Sequence, residues 1–521
     1  MDRLAICQSL RNYALFGSNS AQGVKYNKIF PTIDLLTSFL YSQESVKFSV
    51  KFGAGVPKDQ YGFAEKLREK MADVWEDTGT DSLFGEAVFW SLVYNSYLIK
   101  TINNGGIRTY PVNPHLISVY REDIPQIDNQ EAIIHLYYTT RSGLYTLTRI
   151  LGAKKQKKIM ERVSTLGPID ESVAPQTVSQ IIAAGQMPNV RGVVENAWQT
   201  RYEYRAQPNP ELVEMREVWV YDDELEDYRV FTRANPGIII FDRPGEQLCY
   251  KGEHPFVKVT PLPLPDYFWG VSLVQHLIGL QDWHDGHLTR TDQIFRKKVR
   301  PPRTFTGPGW GSITDERMLA LDREGGHFNS SVPGAKMEQY PPLIAITECI
   351  EWLHELDTYF HEMAGLAGNV MRAQGDENVR AMQHAQLLQR MGSSRIKKQV
   401  LTIQNPAEKL ATLMLKMHAE HDKNKYLDEE GKEFYLSQVN DDYRVKVSGH
   451  SLSAVFIDDT KQEAKQLVGM KAMTRKRYLQ ETQPPMEQEL ERDLEKIEAG
   501  EAQQAKVATG LALLKAAKSL K

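Results

Sequence analysis

Cysteine is scarce in this chain: Cys7, Cys249 and Cys349 are its only three, far apart and without a CxxC pair. That scarcity excludes a disulfide framework and a cysteine-rich zinc site, and it favours a reducing compartment. Charge of one sign is equally lacking. Lys and Arg number 63 against 67 Asp and Glu, for a formal net charge of −4, so bulk positive charge cannot coat nucleic acid here and any contact with DNA must be local. No apolar run approaches the roughly 18–20 residues of a membrane helix, and Asp2 beside Arg3 does not begin a basic-then-apolar signal. The expectation is a soluble intracellular protein with no membrane partner.

Catalytic motifs are missing as well. There is no GxxxxGK[ST] phosphate loop, and Gly307, Gly309 and Gly311 lack the following Lys and the strand-to-helix setting. No GxSxG elbow occurs. His354 and His361 stand seven residues apart, two helical turns, whereas a zincin helix needs four. His284, Asp285 and His287 can share a helix face, and packing or surface histidines are the preferred reading over a metal site. The expectation is a protein that is not an enzyme and holds no cofactor or metal.

What is present is a mixed α+β pattern. The 521 residues suggest two to four structural units at roughly 100–200 residues each. Ile33, Leu36 and Leu40 mark a helix, and VKFSVKF at 46–52 alternates as a strand does. Further helix is expected over 65–79, and strands over 133–138, 144–150, 217–221 and 237–242. Lys154, Lys155, Lys157 and Lys158 read as solvated surface, and Asp222, Asp223, Glu224, Glu226 and Asp227 as a turn between two strands. Pro261, Pro263, Pro265 and Gly270 mark a boundary. Ser272 with Gln275 is a capping-box pattern opening a helix over 271–299 that Pro301 and Pro302 stop.

Residues 303–343 read as a compact insert. A second helix follows from Ile346 to about 364, then GLAGNVMRAQG with three glycines, then a long helix that Pro406 kinks. Strands at 443–447 and 453–457 and a helical tail complete the pattern. Charge is asymmetric across the insert: Arg290, Arg296, Lys297, Lys298 and Arg300 end one helix, and Glu348, Glu351, Glu355, Asp357 and Glu362 lie along the next. Antiparallel helices can pair these within one chain or between copies.

In order, these features are NKIFPTIDLLTSFL, the Pro-rich approach into YFWGVSLVQHLIGLQDWHDGHLTRTDQIF, the basic helix end with RPPRTF, the insert, GLAGNVMRAQG, and the helix beginning ENVRAMQHAQLL. This succession resembles the portal proteins of tailed bacteriophages, the head-to-tail connectors of the virion. The match is one of order rather than of a strict signature, and it spans nearly the whole chain.

The resemblance implies a portal fold assembled as a ring, usually a dodecamer, at one capsid vertex in the virion. Residues 1–265 would form most of the wing, 266–299 the outer stem helix, 300–343 the clip and 344–364 the second stem helix. A tunnel loop at 365–376 would put Gly368, Asn369, Val370, Met371, Arg372 and Gln374 toward DNA. Residues 377–458 would be the long wing helix and closing strands, and 459–521 a helical crown. Implied partners are double-stranded DNA without base specificity, the terminase large subunit, major capsid and scaffolding proteins, and head-completion or tail adaptors. Arg290, Arg296, Lys297, Lys298, Arg300, Glu348, Glu351 and Glu355 would form a charge ring around the stem. A near-neutral lining lets DNA slide, because each phosphate contact adds affinity. Two alternatives stand beside this: another structural or adaptor protein of a virion, and a metal-dependent DNA-processing enzyme using Asp222, Asp223 and Glu224 or His284, Asp285 and His287. The stretch around 150–200 has no assigned role.

Overall fold

The computed structural model describes residues 3–18, 26–42, 46–53, 56, 63–103, 106–163, 212–235, 237–299, 303–306, 334, 336–339, 346–365, 394–427, 433–439 and 442–447. The architecture is mixed α+β. Three helices open it: α1 (Arg3–Phe16), α2 (Ile29–Leu40) and, after strand β1 (Phe48–Phe52), α3 (Ala64–Asp77). Asn27 caps α2 through Oδ1, which accepts from the backbone N–H groups of Ile29 and Phe30 at 3.0 and 3.1 Å. The apolar stripe foreseen in α2 faces inward, since Ile33, Leu36 and Leu40 have no exposed surface. α1 was not foreseen, although Cys7, Leu10 and Ala14 form a buried stripe at helical spacing.

Next come α4 (Thr80–Tyr94) and a three-stranded antiparallel sheet ordered β3-β2-β9, with β2 (Tyr97–Asn103), β3 (Ile107–Val112) and β9 (Phe256–Val259). A five-stranded antiparallel sheet runs in the order β4-β5-β6-β7-β8, from β4 (Ile117–Val119) and β5 (Ala132–Thr140) to β6 (Leu212–Asp222), β7 (Asp227–Ala234) and β8 (Ile238–Pro244). Helices α5 (Arg141–Thr148) and α6 (Ala153–Arg162) follow β5.

The strand expected over 144–150 is therefore a helix. Thr140 ends β5 and caps α5, its hydroxyl accepting from the Gly143 N–H at 3.0 Å, and Leu144 and Thr148, one turn apart, are both buried. Packing overrides the β-branched composition. The acidic run does form the β6–β7 turn, with one correction: Asp227 is buried, its carboxylate accepting from the Glu246 and Gly252 N–H groups at 3.0 and 2.9 Å. The α6 lysines are exposed while Gln156 and Ile159 are buried.

At the proline-rich approach the chain makes a tight turn, Leu264 bridging Tyr267, with Asp266 at φ 54°. Gly270 sits at φ 69°, and a Cβ there would meet the Leu262 carbonyl oxygen at 2.7 Å, so only glycine fits. Ser272 caps α7 (Leu273–Val299) by accepting from the Val274 N–H at 3.0 Å and donates to the Val93 carbonyl at 2.6 Å. The first turns of α7 share one apolar core with α1–α4, β1 and the later helix α9 (Ser394–His421), through Leu273, Val274 and Leu277.

Strands β10 (Arg303–Thr306) and β11 (Lys336–Gln339) pair antiparallel at the neck of the insert. Helix α8 (Ile346–Ala364) lies at the bounds expected for it, and α9 (Ser394–His421) contains Pro406. A two-stranded β12 (Lys425–Leu427) and β13 (Glu433–Tyr435) precede β14 (Tyr443–Val447), which pairs antiparallel with β1. The outer edge of β14 is met by a row of α9 side chains one turn apart. Thr412 Oγ1 accepts from the Val445 N–H at 3.0 Å, Glu408 Oε1 accepts from the Val447 N–H at 3.3 Å, and Gln404 Nε2 donates to the Val447 carbonyl at 2.8 Å. The strand at 453–457, the tunnel loop beyond Gly365, most of the insert and the C-terminal tail lie outside the described residues.

Candidate functional site: a helical hairpin carrying an insert

Helices α7 and α8 form an antiparallel hairpin that the sequence pattern foresaw. The register is fixed by three side-chain meetings. His287 Nε2–H donates to the Cys349 carbonyl at 3.3 Å, Trp283 and Trp352 meet edge to face at 5.6 Å, and His284 meets Phe360 at 6.3 Å and 83°. Cys349, Leu356, Phe360 and Ala364 supply the buried stripe of α8.

At the base of the hairpin, the short stretch 26–28 is strapped to both helices. Lys28 N–H donates to Gln281 Oε1 at 3.0 Å, Gln281 Nε2 donates to the Tyr26 carbonyl at 3.0 Å and to Asp285 Oδ1 at 2.9 Å, and the Lys28 ammonium pairs with Asp357 at 2.9 Å. Tyr13 O–H donates to Asp282 at 3.1 Å, and that bond, after burial, pushes the phenol up to about 12. The group His284, Asp285 and His287 is thus engaged in holding helices together. Among the described residues, no cluster of three His, Cys, Asp or Glu is placed to hold a metal ion.

The charged residues of the hairpin face solvent. Arg290, Arg296, Lys297 and Lys298 are exposed on α7, and Glu348, Glu351 and Glu355 on α8. Arg296 pairs one turn back with Asp292 at 2.8 Å, and Glu355 accepts from the Tyr359 hydroxyl at 3.0 Å. Among the described residues no ion pair joins the basic set to the acidic set, and Arg300 lies outside them. The register gives the reason. With His287 opposite Cys349, residues 296–298 of α7 run past Ile346, the first residue of α8, by roughly 9 Å or more at about 1.5 Å per residue. Beside these charges Phe295, Val299, Ile350 and Trp352 are exposed at 51, 63, 45 and 36%. Charged and apolar side chains are thus exposed side by side on this part of the hairpin.

Gly368, Asn369, Val370, Met371, Arg372 and Gln374 fall outside the described residues, as do Asp376 and the start of the long helix before Ser394. Of the loop only Gly365 is described, at φ 78°.

Two polar clusters, one buried and one joining buried His254 to the surface, have no signal in the sequence. In one, Lys100 on β2 pairs with Glu217 on β6 at 2.7 Å, joining the two sheets. Burial works to raise the Glu217 carboxyl, but the Lys100 charge and hydrogen bonds from Lys100 and Trp219 hold it below the ordinary range. In the other, His254 Nδ1 accepts from the Phe256 N–H at 3.2 Å, so Nε2–H donates to Asp128 at 2.9 Å, and Lys409 pairs with the same carboxylate. Burial would raise Asp128, and the His254 bond and Lys409 charge reverse that to well below the ordinary range. No spacing signal links residues so far apart in the chain; only the folded topology brings them together. No family model matches this chain, and no curated protein matches its sequence.

Proposed function

We propose that the chain is a portal subunit of a tailed-bacteriophage virion, forming a closed ring, usually of twelve copies, through which double-stranded DNA passes without base recognition. The observation that carries this reading is the α7–insert–α8 hairpin, whose excursion closes on the β10–β11 neck and whose charged and apolar outer faces find no partner within the described residues. Cyclic assembly would bring the basic end of one α7 to the acidic face of a neighbouring α8. The insert is then the docking module for the terminase large subunit and for head-completion or tail adaptors, and the outer wing the contact for capsid and scaffolding proteins. Residues 365–376 would face the DNA, Arg372 toward phosphate. The role is mechanical, and no catalytic step is assigned to the chain.

Negative-stain images and native mass spectra of the purified protein test this directly. A ring with a central hole is expected, and a monomer persisting across micromolar concentrations would remove the reading. Replacing 307–335 by a short Gly/Ser linker should leave the ring intact and abolish capture of the terminase large subunit; undiminished capture would overturn the docking assignment.

A further inference from the structure

The β1–β14 ribbon has two unlike faces. Phe48 with Val447, Val50 with Val445 and Phe52 with Tyr443 point inward, and the alternate pairs, Ser49 with Lys446 and Lys51 with Arg444, point outward. The outer face holds three cations and no acid. Lys51 and Arg444 are directly opposite each other and both exposed. Like charges at directly opposed positions destabilise a ladder, so a fold with nothing to place there gains by avoiding them.

The face continues into a groove of about 690 Å³ between α9 and β14, where Lys409, Lys416, Arg444 and Lys446 stand among Asp128, Glu253, Glu408 and Asp442. Two of these cations are already matched, Lys409 with Asp128 and Lys446 with Glu408 at 2.6 Å. Lys416 lies over the Tyr250 ring at 5.0 Å. Lys51 and Arg444 have no ion-pair partner among the described residues. At Lys51 and Arg444 the face therefore asks for anions, while in the groove a uniformly anionic phosphodiester would meet Glu253 and Asp442; a polypeptide of mixed sign with an acidic excess suits both.

The chain carries such a segment. Residues 487–501 hold seven acids (Glu487, Glu489, Glu491, Asp493, Glu495, Glu498 and Glu501) against Arg492 and Lys496. Glu487 follows Val447, the last residue of β14, by about forty residues, a tether that can span up to about 130 Å when extended. We propose that the acidic stretch 487–501 docks on the outer face of the β1–β14 ribbon of its own chain, with Lys51 and Arg444 as the principal contacts. This docking stands whether or not copies of the chain assemble into a ring.

Zero-length carbodiimide cross-linking of the full-length protein, mapped by mass spectrometry on a mixture of isotopically light and heavy chains, tests it. Links from Lys51 or Lys446 to carboxylates of 487–501 within the same chain are expected, falling about fivefold or more at about 0.5 M salt. Arg444→Glu, which removes an exposed residue and leaves both reporter lysines in place, should reduce them as far; adding Glu489→Lys and Glu491→Lys should restore them. Absence of these links, links only between light and heavy chains, or Lys51 linking only to carboxylates outside 487–501 would each overturn the proposal. A second arm uses a short DNA duplex as a polyanion probe. The variant with the seven acids replaced by Gln and Asn should bind it more tightly than the wild type, and equal binding would mean that the face was never covered.

Discussion

Nζ of Lys100 lies 2.7 Å from Oε1 of Glu217, both side chains more than nine-tenths buried in the seam between the three-stranded and five-stranded sheets. Trp219 Nε1–H donates to the same oxygen at 2.5 Å, and His135 Nδ1 lies 3.4 Å from the ammonium. Removing one member of a buried pair leaves the other charge without compensation, so Glu217→Gln should cost about 3–5 kcal/mol. Lys100→Met combined with Glu217→Gln keeps an acceptor for Trp219 and leaves no charge behind. The double variant should therefore be more stable than Glu217→Gln alone by urea denaturation, and a double variant as unstable as the sum of the singles would refute this account of the seam.

Acid should loosen the same region through its histidines. Burial, with the Lys100 charge adding to it and Glu217 opposing, pushes the His135 imidazole down to about 3, and burial lowers His254 against the pull of Asp128. Each is neutral when folded, while the unfolded chain takes up a proton near pH 6.5. Their stabilisation is thus complete above about pH 6.5 and declines as pH falls below it, by up to about 1.4 kcal/mol per pH unit for each group, the decline reaching toward pH 3 for His135. The depressed Glu217 and Asp128 carboxyls act in the same direction at still lower pH. Unfolding free energies measured from pH 8 to 4 should show this slope, and His135→Gln should flatten it by one proton's worth; an unaltered slope would count against a neutral buried His135.

Reversing the exposed charges of Arg290, Lys297 and Lys298 to Glu should separate folding from assembly. None has an ion-pair partner among the described residues, and surface changes of this kind usually stay within about 0.5 kcal/mol. The urea midpoint of the dissociated subunit should hold while the ring population in native mass spectra collapses. Rings persisting undiminished would remove the basic helix end from the interface.

In the loop expected to face DNA, Arg372→Ala and Met371→Ser are each expected to lower packaged-DNA yield or increase genome leakage in assembled particles, with ring stability intact. Lys423→Ala serves as the matched surface control. Yields equal to that control would reduce 365–376 to a plain connector between helices.

Much of the framework was legible because it is written in local periodicity. The stripe Cys349, Leu356, Phe360 located α8, and Ser272 located the start of α7, since both depend on neighbours within a turn or two. The segment 144–150 misled because Leu, Tyr and Thr suit a strand in isolation, and the cap from Thr140 with the burial of Leu144 decides otherwise. The offset between the hairpin's basic and acidic residues is not legible in the sequence, because it is a matter of register, set by how Trp283 meets Trp352 and His287 meets Cys349. Lys100 with Glu217, and Asp128 with His254, were invisible because more than a hundred residues separate the members of each pair.

The row Gln404, Glu408 and Thr412 on α9 has a consequence for how copies of this chain behave when crowded. An uncovered β14 would present free N–H and C=O groups to any passing strand, a template that adds units without limit. By engaging the Val445 and Val447 N–H groups and the Val447 carbonyl from the side, one helix obstructs strand addition at that edge of the ribbon. At that edge open-ended growth by strand addition is blocked, and any meeting of copies there would fall to side chains, the kind of contact that can close after a fixed number of copies.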